Sequence, residues 1–157
     1  MVKLNDLAIL KSDQLLQLFS ATDLDAALDA AARKSSAVVA EFTATVANAE
    51  IDAPIAVEAA VEFLIPPESI ALFAAEFDDQ LMRRSLGYAA GRHRGDLGPA
   101  VVQVVGAGAF HQWRVAGRRS ERLHDQTTWC LTREYLEGVM HQSQKGWREI
   151  ARLDWEF

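Results

Sequence analysis

One cysteine, four prolines and no apolar run of membrane-spanning length define what this 157-residue chain goes without. With Cys130 alone, no internal disulfide can form and a zinc site built from cysteines is excluded. Trp129 and Leu131 flank it, so Cys130 reads as a small core residue and not as a nucleophile. A membrane-crossing helix needs roughly 18 or more consecutive apolar residues, and none is present. Met1-Val-Lys-Leu-Asn-Asp6 meets polar residues before any apolar stretch, so no secretory leader is expected, and the expected setting is cytoplasmic. Zinc-protease, Walker A, paired-cysteine and nucleophile-elbow motifs are all absent from the sequence. No complete cofactor motif remains, so no cofactor is expected.

Half of the residues are hydrophobic and 24% are charged, the composition of a globular protein with a real core. A single helical domain over residues 1–157 is therefore expected. The charge is unevenly placed: residues 1–80 sum to -10 and residues 81–157 to +4, giving the net -6. Lysine is missing from the basic centre, where eight arginines between Arg83 and Arg122 face only Asp96 and Glu121.

Apolar spacing favours helices. Ser12 caps a short one through Leu15, Leu16 and Phe19, and Thr22 or Asp23 starts a longer one. Its stripe of Leu24, Leu28, Ala31, Ser35, Val38 and Phe42 advances in steps of four and three. The same segment alternates from Val38 to Val46, which is the pattern of a strand. Pro54 and Pro66-Pro67 bracket an expected short helix with Val57, Val61 and Leu64 on one face. Ile70, Phe73, Phe77 and Leu81 predict the next, and a Gly/Pro-rich loop is expected over 91–99. Further helices are read over 99–115, 125–140 and the tail that carries Trp147, Ile150 and Leu153. The fold class read from this pattern is all-α, a single irregular bundle of five to seven helices. The alternative is α+β, with short strands near 37–46 and 100–105.

Val101-Val-Gln-Val-Val-Gly-Ala-Gly108 resembles the start of a dinucleotide cradle, in which a strand runs into glycines that admit a pyrophosphate. His111 stands where the third glycine belongs, and only the forty-six residues from Gln112 to Phe157 follow it, too few for the remaining strand-helix units. A close-packed helix is the reading preferred here.

The arginines carry the main functional expectation. Arg presents a planar fork suited to carboxylates and phosphates, and Trp and Arg are enriched at binding hot spots. Arg92, Arg94, Trp113, Arg114, Arg118, Arg119 and Arg122 are thus the candidate binding residues. They predict a non-enzymatic adaptor or accessory subunit that docks an acidic protein partner and is able to self-associate. Nucleic acid and a membrane are not expected partners, given the net charge and the missing motifs. The competing reading is internal pairing of these arginines with acids such as Glu76, Asp78 and Asp79. A second functional class is a small helical-bundle enzyme or ligand-binding protein holding a metal or an anionic metabolite. Glu121 and His124 have the E-x-x-H spacing, Glu137 and His141 are four apart, and His111 is the remaining imidazole considered.

Overall fold

A computed structural model describes residues 15, 17–47, 54–116, 129–130 and 134–143. The elements are α1 (Ala21–Lys34), β1 (Val38–Ala47), β2 (Ala56–Ile65), α2 (Ile70–Arg84), α3 (Leu86–Arg94), β3 (Val101–Val105), α4 (Ala109–Ala116), β4 (Trp129–Cys130) and α5 (134–143). The strands form a mixed sheet in the order β3-β2-β1-β4. β1 and β2 are antiparallel, whereas β3 runs parallel to β2 and β4 parallel to β1. The fold is α+β, which corrects the all-α bundle; strands occupy the two segments that the alternative named, and a third, β2, replaces a helix.

Local chemistry accounts for each of these departures. Ser20 caps α1, its hydroxyl accepting from the Asp23 N–H while the Asp23 carboxylate accepts from the Ser20 N–H. The helix ends at Lys34, and Ser36 adopts a positive φ of 53°, a left-handed turn that breaks the four-three stripe. Beyond it the alternating pattern takes over and gives β1. In β2 six consecutive residues, Ala56 to Val61, are buried. A strand covered on both faces shows no polar alternation, which is why its valines fell at helical spacing.

The two faces of the sheet bury different chemistry. Val57, Ala59 and Val61 point into the larger core with Leu24, Phe73 and Phe77, under α1, α2 and α3. Ala60 and Val105 point the other way, into a smaller core with Phe110, Leu136 and Val139 under α4 and α5. The predicted stripe of α2 holds: Phe73, Phe77 and Leu81 are fully buried. α3 extends through Arg94 into the expected loop, and Gly95, with φ 81°, closes it in the left-handed conformation.

Candidate functional site

The segment 99–113 is not one helix. It is a strand, a glycine turn and a helix: β3 ends at Val105, Gly108 turns the chain with φ 84°, and α4 begins at Ala109. A helix N-terminus after a glycine turn presents N–H groups and a positive dipole to an anion. Here that anion is internal. The Glu62 carboxylate, from β2, accepts from the Gly108 N–H at 3.1 Å and the Phe110 N–H at 3.5 Å. The Gly106 N–H donates to the Ser143 hydroxyl at 2.8 Å, tying the turn to α5.

Glu62 sits directly opposite Glu41 on β1, and like charges in that position repel. Each has its own partner, the N–H groups at the start of α4 for Glu62 and an arginine for Glu41. The Arg114 guanidinium, one turn and a half along α4, donates to both Glu41 oxygens at 2.9 and 3.0 Å. That bidentate bond, ahead of any other cause, holds the Arg114 guanidinium above its ordinary pKa. The two carboxylates thereby clamp both ends of α4 onto the sheet. Around these half-buried carboxylates Thr43, Thr45 and Glu58 are buried, and the Gln103 amide donates to Glu58 at 3.3 Å. Trp113 packs against this layer: its ring meets Tyr135 edge-on at 6.1 Å and lies over Gly138 of α5.

A second polar junction binds α2, α3 and the approach to β3. Asp78 is only 5% exposed, and its carboxylate accepts from the Tyr88 hydroxyl, the Arg92 fork at 2.9–3.2 Å and the Ala100 N–H at 3.2 Å. Arg92 also donates to the Leu97 carbonyl at 3.4 Å. Its hydrogen bond to Asp78 raises the guanidinium pKa. Burial, and then the neighbouring Asp78, push the Tyr88 phenol far up.

The candidate arginines therefore do not converge on an open surface among the described residues. Arg92 pairs with Asp78, Arg94 with Asp96 at 3.1 Å and Arg114 with Glu41, while Arg83 pairs with Asp79. Trp113 lines the smaller core. Arg118, Arg119, Arg122, Glu121 and His124 lie outside the described residues. Glu137 and His141 share α5, and among the described residues no group of three His, Cys, Asp or Glu could hold a metal ion. Likewise, no helix among them is long and apolar enough to cross a membrane. Asp78, Glu41 and Glu62 organise these junctions and are not among the candidate site residues of the sequence, where Asp78 enters only as a pairing partner. Their signal was a carboxylate inside an apolar run, as in Val-Glu-Phe at 61–63 and Phe-Asp at 77–78.

A model of the GH3 family C-terminal domain matches residues 22–128. Among solved structures the chain is similar to "AtGH3.15 acyl acid amido synthetase in complex with 2,4-DB", with 19% identity and a TM-score of 0.60 over 76% of this chain and 23% of that one. It is similar to "GH3.15 acyl acid amido synthetase" with 19% identity and a TM-score of 0.59, over 77% of this chain and 24% of that one. No curated protein sequence matches. The chain thus spans about a quarter of the length of the solved chains, in both of which its fold is one part of an enzyme. These matches overturn the non-enzymatic adaptor, and with the α+β sheet they overturn the helical-bundle ligand-binding protein as well.

Proposed function

Since the chain belongs to the GH3 C-terminal domain family, we propose that it serves as the C-terminal domain of an acyl acid amido synthetase. The match over residues 22–128 is the observation that carries this reading. Such an enzyme joins a carboxylic acid to an amine, and a carboxylate must be activated before an amine will displace its oxygen. The half-buried Arg92 and Arg114, side chains suited to holding a carboxylate or a phosphate, are engaged internally. In this reading the chain supplies a rigid platform while a larger part of the protein binds and activates the acid. An apolar end of the sheet supports a seat against more protein: Leu64 and Ile65 at the end of β2 are exposed, Val38 lies opposite Ile65, and Leu72 is exposed in the first turn of α2.

The test is to tag the protein at its natural locus, purify it with whatever it is joined to, and supply ATP, a panel of carboxylic acids and hydroxylamine as the amine. The expected result is ATP-dependent hydroxamate from the native material and none from the 157-residue chain alone. Native material that contains this chain alone, and makes no hydroxamate with any acid of the panel, overturns the proposal.

A further inference from the structure

β3 is an edge of the sheet among the described residues, with β2 on its inner side. All five of its residues pair with Glu58–Glu62 and no bulge interrupts them. No described strand pairs with its outer side, which carries backbone N–H and C=O groups. Natural edge strands are commonly protected by a charge, a proline or a bulge. β3 has none of the three, and Val101 and Val104 are 38% and 48% exposed. The strand, Val-Val-Gln-Val-Val, reads the same in both directions about Gln103.

We infer that β3 is a self-pairing edge, at which two copies of this chain join antiparallel about a twofold axis through Gln103. In that register Val101 faces Val105 of the second copy, Val102 faces Val104, and Gln103 faces itself. Residues opposite one another in an antiparallel pair share a face of the sheet. Val102 and Val104 align with Ala59 and Val61 on the side of the larger core, whereas Val101, Gln103 and Val105 align with Glu58, Ala60 and Glu62 on the other. The axis stands normal to the sheet, so each core-side face continues into its equivalent and valine meets only valine. An unrelated strand would supply backbone bonds but not this matched set of side chains, which is what selects a second copy.

Light scattering of the full chain across a concentration series tests the inference. The expected mass rises from 17.3 kDa toward twice that value. Gln103→Lys is expected to hold it at the single-chain mass, because two ammonium groups would meet on strands whose opposed Cα atoms lie roughly 4.5–5.5 Å apart. Within one chain the same ammonium lies beside Glu58, which already accepts from Gln103. Oxidative crosslinking in a Cys130→Ser background reads the position independently of that variant. Gln103→Cys sits on the axis within disulfide reach and is expected to crosslink. Val101→Cys is displaced by two residues on each strand, about 13 Å from its equivalent, and is expected not to. A single-chain mass at every concentration overturns the inference, as does a dimer unmoved by Gln103→Lys or crosslinking of Val101→Cys as readily as Gln103→Cys.

Discussion

Replacing Asp78 by alanine is expected to be the most damaging single change at the α2-α3-β3 junction. The carboxylate is 5% exposed and serves three donors from two segments: the Tyr88 hydroxyl and the Arg92 fork on α3, and the Ala100 N–H before β3. Breaking a buried ion pair by removing one partner costs about 3–5 kcal/mol, but the Arg92 side chain keeps 23% exposure, so water recovers part of its charge and roughly 2 kcal/mol is the appropriate share. Stranding the Tyr88 hydroxyl and the Ala100 N–H adds about 1 kcal/mol each, for a total near 4 kcal/mol. Asp78→Asn retains a carbonyl that accepts from Tyr88 and Ala100 and loses only the ionic share, roughly 2 kcal/mol. Urea unfolding followed by circular dichroism measures both, as a lowered midpoint at unaltered slope. The cycle of Asp78→Ala with Arg92→Ala is expected to show about 2 kcal/mol of coupling, since the double variant strands no charge. A loss under about 1 kcal/mol for Asp78→Ala, or a cycle with no coupling, would refute the account of Asp78 as the shared acceptor.

Two further outcomes follow from the geometry. A Cβ at Gly138 would sit 2.3–2.5 Å from the Trp113 ring, so Gly138→Ala is expected to lose about 1–3 kcal/mol by overpacking despite alanine's helix preference of about 1 kcal/mol. Urea midpoints check it, and adding Trp113→Leu is expected to remove most of the loss; a more stable Gly138→Ala would show that the ring yields. The second outcome is alkaline: Tyr88 stays protonated in the fold above its ordinary 10.0, while the unfolded chain releases that proton. Its contribution is complete below pH 10.0 and declines as pH rises from there toward the folded value, so the advantage of the wild type over Tyr88→Phe shrinks above about pH 10. Paired unfolding curves from pH 8 to 11 measure this, and a constant difference would contradict it.

The helices of the larger core were legible because one-sided burial leaves a 3.6-residue stripe, as Phe73, Phe77 and Leu81 show. β2 was not legible, because burial on both faces erases alternation and Val57 and Val61 then match a helix as well as a strand. The boundary between α1 and β1 rests on Ser36, a residue with no special claim to the left-handed region, so the sequence carried no stop there. Gly106 and Gly108 stand out in the sequence, but their small size suits close helix packing as well as a turn; the positive φ of Gly108 is what a turn requires and a helix interior does not. Pairing of Arg83 with Asp79 and of Arg92 with Asp78 was foreseeable from i,i+4 spacing in the first case and only by three-dimensional closure in the second. The paired carboxylates Glu41 and Glu62 became visible only through strand register, which a single sequence does not state.

β2 contributes to both cores, Val57, Ala59 and Val61 to one and Ala60 to the other, and has a strand on each side. Its backbone amides reach solvent only when a flanking strand separates, and neither helical layer can unfold around it without leaving the other still attached. Amide hydrogen exchange is therefore expected to arrive at β2 last among the described strands. Among the described elements the centre of the sheet is then expected to exchange slowly and the helices over it faster, each layer free to open while β2 keeps the other in place.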